Sequence, residues 1–395
     1  MRASSSQGIA TQPRSAGNPL AALSGLLPLP VPDWSKPIIL VLLVIAAALA
    51  IRSRLATIRA RRLEAQRAEL VQDVDAMQSA LVPAVPPRLG GLALSVAYRP
   101  AEGPAAGGDF YDAFPIGDSG VGLVLGDASG HGREALTRSA LMRYTLRAYL
   151  EAGLEPRAAL ELAGQVLADQ TGEKFTTVAL GFYDTRAGTL TYAMAGHPPP
   201  ILLGQTAHHP VTVCSSPAVG WGMPTGRRQT TVSLPPGALA CFFSDGLTES
   251  HAHGRMLGRE GLEEMLRHGG PGASAPDLVE RVRARADDAP DDMAACILAP
   301  DPPRSATALR VEELELDARQ LERSHAERFL GACHVPTDEI APAVALARRT
   351  AAETGAAVLH VVVQPEPTQV TVTPRQTHSN ARESVPEARQ APTPA

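Results

Sequence analysis

The chain has 395 residues, enough for more than one folded unit around a sizeable core. Its 36 Lys and Arg residues stand against 41 Asp and Glu residues, and the formal net charge of -5 lacks the basicity of a nucleic-acid-binding protein. Four scattered cysteines without metal-type spacing indicate core thiols in a reducing compartment: Cys214, Cys241, Cys296 and Cys333.

The N-terminal segment combines a polar stretch with an uncharged apolar run. Residues 1–36 are rich in Ser, Gly and Pro and are predicted to be disordered. Residues 37–51, PIILVLLVIAAALAI, are predicted to span a membrane, because Lys36 and Arg52 can reach the headgroups although the run is shorter than the usual span of roughly 20 residues. A cleaved secretory segment or a buried helix is the alternative. The arginines after the run predict a single-pass inner-membrane protein whose remaining chain is cytoplasmic.

Residues 52–82 are predicted to form a juxtamembrane helix with coiled-coil-like character. The stretch up to Leu81 is charged and contains no Gly or Pro, and Leu63, Leu70 and Met77 recur every seven residues. This spacing is typical of a helix that pairs in parallel with a second copy, so we expect a homodimer. The alternative is a lone amphipathic helix that lies on the following domain.

Residues 83–300 contain both strand-like and helical runs. Strands are predicted at Leu92–Tyr98, Val121–Leu125, Thr177–Tyr183, Thr189–Ala193, Pro200–Leu203, Gln229–Leu234, Ala238–Phe243 and Met293–Leu298, and helices at Glu134–Leu150, Pro156–Gln170, Gly261–Leu266 and Asp277–Ala286. Many strands are joined by short turns, with helices inserted in blocks. This order favours an antiparallel α+β assembly over regular βαβ alternation.

Aspartates beside Gly, Ser or Pro occur at four separate strand edges. They are Asp109 and Asp112 in GGDFYD, Asp127 in GDASGHG, Asp245 in FFSDGLTES, and Asp291 and Asp292 in APDDM. Each alone is more often a turn former or a helix cap. Brought together at one end of a sheet, however, their carboxylates would repel one another unless a cation lay among them. Oxygen ligands without His or Cys favour Mg²⁺ or Mn²⁺ over Zn²⁺.

Six motifs in this order, GGDFYD, GDASGHG, FTT, AGHPPPIL, FFSDGLTES and DDM, resemble the SpoIIE-type branch of the PPM metal-dependent serine/threonine phosphatases, over about residues 75–299. The resemblance implies a sandwich of two antiparallel β-sheets flanked by helices, with two Mn²⁺ or Mg²⁺ ions in the cleft. By motif position it implies metal ligands at Asp109, Asp127, Asp245, Asp291 and the carbonyl oxygen of Ala128, with Asp112 and Asp292 supporting them.

The same resemblance implies hydrolysis of phosphoserine or phosphothreonine, with Asp127 and Asp245 acting through a water that the ions bind. The substrate would be a phosphorylated regulatory protein, an anti-anti-sigma (STAS-domain) factor in a bacterial partner switch. The alternative is a signalling adaptor that binds this partner through a phosphatase-like fold with little turnover. His131 could act as a general acid or have a structural role, and the sequence does not decide between them. His197 is expected on the substrate side or in a structural role.

Residues 301–373 are predicted to form a small α/β appendage. They weakly resemble the start of the GHKL-type anti-sigma-factor kinase fold, in which Glu353 and His360 keep the separation of an acid and a histidine. Ala357 stands where that family has a metal-binding Asn, so a degenerate remnant that does not bind ATP is expected, with an unrelated appendage as the alternative. Residues 374–395 are predicted to be disordered.

Overall fold

The computed structural model describes residues 32, 34–81, 83–100, 107–130, 132–171, 174–204, 210–211, 215–252, 254–287, 291–300, 309–364 and 367–375. Within these ranges the side chains of residues 36, 67–81, 168–171 and 271 are not described. Most of the predicted disordered segments 1–36 and 374–395, as well as His131 and Cys214, therefore lie outside the described residues. The chain divides into two compact units, Met1–Gln72 and Asp73–Ala395.

The first helix, α1 (Lys36–Leu81), is continuous where the sequence predicted a membrane span followed by a separate linker helix. Within it, Pro37–Gln66 is long and apolar enough to cross a membrane by length and composition, and its most apolar window is not buried in the chain. The side chains of Leu70 and Met77 are not described, so the predicted pairing of two helices stays a prediction.

Two antiparallel sheets carry the second unit. The first has the strand order β1-β2-β12-β9-β7. Its strands are β1 (Arg88–Leu89), β2 (Leu92–Arg99), β7 (Ile201–Leu203), β9 (Leu239–Phe243) and β12 (Met293–Pro300). The second has the order β15-β14-β13-β8-β6-β5-β4-β3. Its strands are β3 (Asp109–Ile116), β4 (Gly120–Ala128), β5 (Thr176–Asp184), β6 (Thr189–Ala195), β8 (Arg228–Ser233), β13 (Arg310–Asp317), β14 (Ala356–Gln364) and β15 (Gln369–Pro374).

Helices flank both sheets. They are α2 (Arg133–Glu151), α3 (Pro156–Thr171), α4 (Asp245–Glu249), α5 (Gly258–Gly269), α6 (Ala275–Arg285), α7 (Ala318–Leu321), α8 (His325–Ala332) and α9 (Thr337–Thr354), together with a 3-10 turn at Gly270–Gly272 and a hairpin of β10 (His251–Ala252) and β11 (Arg255–Met256). The predicted α+β fold of two antiparallel sheets with flanking helices is confirmed.

The apolar residues form layers because strand side chains alternate between the two faces of a sheet. In β4, Leu123 and Leu125 pack between the two sheets, together with Leu92 and Leu298 of the five-stranded sheet. Val124 faces the other way, against helices α2 and α3. A third cluster joins the outer face of the five-stranded sheet to α5 and α6. The sheets therefore form the centre of an α–β–β–α sandwich.

The edge strand β3 was not predicted from the sequence. Its residues, DFYDAFPI, include two aspartates and Pro115, which are residue types depleted in strands. Among the described strands β3 pairs only with β4, and Pro115 is exposed, so the missing N–H of proline is tolerated there. The consequence for the site is that Asp109 begins a strand, directly opposite Asp127 of β4.

Strand β13 joins the C-terminal residues to the eight-stranded sheet by pairing with β8. Helices α7, α8 and α9 cover β13 and β14 with their own apolar core. Buried ion pairs reinforce the junction: Arg228 lies 2.8 Å from Glu312, and Glu315 contacts Arg157 and Arg227. Since Glu312 and Glu315 are both buried, removing their partners would leave uncompensated charge inside the protein.

Candidate metal centre

Two of the predicted metal ligands, Asp109 and Asp127, are direct cross-strand neighbours at the end of the β3–β4 ladder. Asp109 shares a strand face with Tyr111, and Asp127 shares one with Leu125, and both of these apolar side chains pack between the sheets. Because alternate strand residues face the same side, both carboxylates point into the space between the two sheets.

The other acidic residues come from the five-stranded sheet. Asp245 begins α4 directly after β9, and Asp291 and Asp292 precede β12, the strand that pairs with β9. The backbone N–H of Asp292 donates to Oδ1 of Asp291 at 2.8 Å. The hydroxyl of Tyr98 donates to Oδ2 of Asp292 at 3.0 Å. Both sheets thus contribute carboxylates at the ends of neighbouring strands.

These carboxylates raise one another's pKa values. The pKa of Asp109 lies well above its ordinary value, first because the group is buried and then because Asp127, Asp292 and Asp245 are charged. Burial, followed by the charges of Asp245, Asp291 and Asp292, raises the pKa of Asp127 to about 7. Burial and Asp291 raise the pKa of Asp245. The structure therefore brings five of the six predicted acidic residues within electrostatic reach of one another.

Asp112 is the acidic residue that the structure does not bring to this group. It lies with Phe110 and Phe114 on the opposite face of the sheet, against α2. Nη1 of Arg147 is 3.4 Å from its Oδ2. Burial raises the pKa of Asp112, while Arg143 and Arg147 lower it. Its charge is therefore balanced by arginines and not by the carboxylate cluster.

The cluster meets some of the requirements of a divalent cation site. Among the described residues, no three His, Cys, Asp or Glu side chains converge closely enough to enclose an ion. Oδ2 of Asp109 is nevertheless buried without a hydrogen-bond partner, and clustered carboxylates with raised pKa values call for a compensating positive charge. The donor set consists of oxygens only, which suits Mg²⁺ or Mn²⁺.

Two glycines allow the backbone to approach these carboxylates. A Cβ on Gly108 would lie 2.1 Å from the carbonyl oxygen of Ala128 and 2.4 Å from Oδ1 of Asp127. A Cβ on Gly107 would lie 1.3 Å from Oδ2 of Asp292. Any larger residue would displace these carboxylate and carbonyl groups, which explains why glycine occupies both positions of the GGD sequence.

Ser244 supports the centre in a way that we did not predict from the sequence. It is fully buried, and its hydroxyl accepts the N–H of Ala294 at 2.9 Å and donates to the carbonyl of Asp292 at 3.3 Å. The hydroxyl also lowers the pKa of Asp109. The available signal was its place directly before Asp245 in FFSDG, where we considered only the aspartate.

His197 links the two sheets beside the centre. Its Nε2 is 3.0 Å from the carbonyl oxygen of Phe243, and its Nδ1 is 3.0 Å from Oγ1 of Thr177. Because a carbonyl can only accept, Nε2 carries the proton and Nδ1 accepts from Thr177. Thr177 is the cross-strand partner of Asp127, and Phe243 lies two residues before Asp245. The imidazole therefore holds the two strand ends that carry these aspartates.

We expect His197→Gln to lower the free energy of unfolding by about 1–3 kcal/mol, the usual cost of leaving a buried polar group unpaired. Burial lowers the pKa of His197 to about 4, against an ordinary value of 6.5, although the hydrogen bond to Phe243 raises it. Between pH 4 and pH 6.5 the imidazole is therefore protonated in the unfolded chain and neutral in the folded chain. The stabilisation that neutral His197 provides is complete above pH 6.5 and is lost as the pH falls towards 4. Urea unfolding of both proteins at pH 5 and pH 7.5 should show a weaker pH dependence in the variant. An identical dependence would contradict this role.

The described cysteines are free and buried, which confirms Cys241, Cys296 and Cys333 as core thiols. Burial raises the pKa of Cys241 and of Cys333 to about 12, so neither supplies a thiolate at neutral pH. None of these three residues is suited to act as a nucleophile.

A cavity of about 610 Å³ opens beside Asp245. Its wall includes His197, Arg228, Met256 and Arg259. Arg259 donates to the carbonyl oxygens of Pro199 and Pro200, which fixes the AGHPPP loop along the cavity. Asp245 therefore faces a space large enough for part of a ligand.

Comparisons with known proteins agree with this architecture. A family model described as Stage II sporulation protein E (SpoIIE) matches residues 117–300. Protein IcfG of Synechocystis is 25% identical over 219 residues, which are 48% of this chain and 34% of that protein. Phosphoserine phosphatase RsbU of Bacillus subtilis is 24% identical over 161 residues, which are 40% of this chain and 48% of that protein. The chain thus matches half or less of the length of these relatives.

Among solved structures, the SiaA-PP2C domain of Pseudomonas aeruginosa matches with a TM-score of 0.51 and 20% identity. The match covers 60% of this chain and 99% of that domain. It supports the PP2C-like fold, with two antiparallel sheets between helices.

Proposed function

The chain carries a SpoIIE-type domain of the PPM phosphatases, and from this premise we propose that it hydrolyses phosphoserine or phosphothreonine on a regulatory protein in a bacterial partner-switching pathway. The observation that carries the proposal is the electrostatic group of five aspartates, drawn from both sheets, at one end of the sandwich. The name of the relative RsbU supports phosphoserine as the hydrolysed group.

In this proposal Asp109, Asp127, Asp245, Asp291 and the Ala128 carbonyl would hold two Mn²⁺ or Mg²⁺ ions. Bound there, such ions supply an activated water and neutralise the charge of phosphoryl oxygens. Asp127 presents its carboxylate from the eight-stranded sheet and Asp245 from the five-stranded sheet, so the separation of the sheets sets the geometry of the centre.

Other side chains keep these ligands in position. Ser244 and His197 fix the strand ends through the hydrogen bonds described above, and Tyr98 orients Asp292. Hydrolysis in this arrangement needs no covalent intermediate on the protein, in keeping with the buried and protonated thiols. The substrate protein that we propose is an anti-anti-sigma factor of the STAS type.

We also propose that the apolar start of α1 crosses the cytoplasmic membrane once and that its continuation pairs two copies of the chain. The support is the uncharged run at residues 37–51, which is followed by five arginines within eleven residues: Arg52, Arg54, Arg59, Arg61 and Arg62. By the positive-inside rule this excess keeps the phosphatase domain in the cytoplasm.

The second candidate function is a signalling adaptor that binds the phosphoprotein with little turnover. It is favoured by one observation: the described acidic side chains do not converge on a single point. An adaptor would keep the fold and the docking surface but would not hydrolyse the ester.

Phosphate release by the purified full-length chain in detergent separates these two functions. We expect hydrolysis of para-nitrophenyl phosphate and of a phosphoserine peptide in Mn²⁺ or Mg²⁺ and none in EDTA. Residues after 300 should be kept, because β13 pairs with β8 and its removal would expose a sheet edge. A folded chain that releases no phosphate in either ion would contradict the phosphatase and support the adaptor.

A further inference from the structure

Two aromatic side chains lie together near the candidate centre: Phe175 and Trp221, which we call the rim patch. Trp221 is 57% exposed, and Met223, two residues further along the chain, is 56% exposed. The rings of Phe175 and Trp221 lie 4.8 Å apart between centroids. Exposed aromatic residues of this kind are common at the centres of protein interfaces.

Backbone hydrogen bonds connect the segments that carry the rim patch to the strand that carries Asp127. Ser129, two residues after Asp127, donates its N–H to the carbonyl of Phe175 at 3.0 Å. Thr176 and Val219 in turn exchange both backbone hydrogen bonds, at 2.8 and 2.9 Å. Since neighbouring extended segments are about 4.8 Å apart, Trp221 follows a segment that lies about 10 Å from the Asp127 strand.

Two cationic side chains flank the turn between the rim patch and the centre. A Cβ on Gly130 would lie 3.4 Å from Nζ of Lys174 and 3.8 Å from Nη2 of Arg138. Arg138 also donates to the carbonyl of Ser129, which fixes its position. Lys174 is exposed. An anionic ligand that reaches the aspartates from this side therefore passes a positive charge next to an apolar surface.

We propose that the rim patch binds an apolar side chain of the phosphoprotein substrate, about three residues from the phosphorylated residue, while Lys174 and Arg138 attract the phosphoryl group. The spacing follows from geometry, because about 10 Å corresponds to about three residues of extended chain at about 3.3 Å each. This inference rests on the proposed phosphatase function and adds a sequence preference to it.

The test uses the full-length chain in Mn²⁺ and two phosphoserine peptides. One peptide has Leu at both the third residue before and the third residue after the phosphoserine. The other peptide has Ser at these two positions and is otherwise identical. Burying a leucine side chain predicts a kcat/KM at least about tenfold higher for the leucine peptide. In Trp221→Ser this preference should fall to about one, and in Trp221→Phe it should be largely retained.

Tyr144→Ser is the matched control, because Tyr144 is a similarly exposed aromatic residue, at 55%, on helix α2. It should keep the preference of the wild type. Hydrolysis of both peptides with equal kcat/KM by the wild type, or an unchanged preference in Trp221→Ser, would overturn the rim patch alone. If the wild type hydrolyses neither peptide nor para-nitrophenyl phosphate, the proposed phosphatase function fails, and this inference fails with it.

Discussion

Asp127→Asn and Asp245→Asn are each expected to reduce Mn²⁺-dependent phosphate release by at least about a hundredfold. Loss of a residue that only supports a metal ligand typically costs about 10- to 100-fold, and these two residues are proposed ligands themselves. Each substitution removes one negative charge from a group whose members already raise one another's pKa values. The Mn²⁺ concentration for half-maximal activity should rise where any activity remains.

The same charge removal should have the opposite effect on stability. In EDTA the carboxylates repel one another without a compensating cation, so Asp127→Asn should unfold at a higher temperature than the wild type. Lower activity together with higher metal-free stability is the combination that a metal ligand predicts. A variant that loses activity because it no longer folds would show lower stability as well.

Asp118→Asn provides the matched control for these two variants. Asp118 is exposed in the turn between β3 and β4, at the far end of the strands that carry Asp109 and Asp127. It loses the same charge from the same hairpin but lies away from the cluster, so activity and Mn²⁺ dependence should stay at the wild-type level. Full activity of both Asp127→Asn and Asp245→Asn at saturating Mn²⁺ would refute the metal assignment.

The sequence predicted most of the strands and the positions of the acidic residues, because both are local features. Hydrophobic runs mark β4 and β5, and a motif of a few letters marks each aspartate. The sequence did not predict which face of the sheet a side chain occupies in a strand that was itself not predicted. Asp112 was expected to support metal ligands that include Asp109, whereas their three-residue separation along β3 places the two side chains on opposite faces of the sheet.

The pairing of strands that lie far apart in the sequence could not be predicted either. The contact between β8 and β13 joins polar residues, such as Gln229 opposite Glu313, across more than eighty positions of the chain. A pattern of hydrophobic residues predicts a strand but does not indicate which distant strand it pairs with. The role of His197 is of the same kind, because it depends on a carbonyl and a hydroxyl that two different sheets supply.

The apolar segment Pro37–Gln66 is the basis of the second large expected effect. The most apolar window of Pro37–Gln66 has no buried residues, and the side chains of Val44 and Leu49 are 61% and 60% exposed. A buried core helix, one of the alternatives from the sequence, is therefore not what the structure describes in this segment. A membrane is the environment that we propose for this surface, because its length and composition suit a span.

Deleting residues 1–51 is accordingly expected to move the protein from the membrane fraction to the soluble fraction almost completely, without loss of phosphate release from para-nitrophenyl phosphate. Activity should survive because residues 73–395 form their own compact unit. Deleting residues 2–31 keeps the apolar run and should leave the protein in the membrane, so it controls for truncation as such. The double substitution Leu43→Arg with Ala47→Arg should also weaken insertion, since each arginine near the centre of a span costs about 2.5–3.5 kcal/mol.

Fractionation followed by alkaline extraction measures the full-length chain, the two deletions and the double substitution. A full-length chain that is soluble, or a 1–51 deletion that stays in the pellet, would contradict the membrane span, and a mature N-terminus beyond residue 51 would identify the run as a cleaved segment.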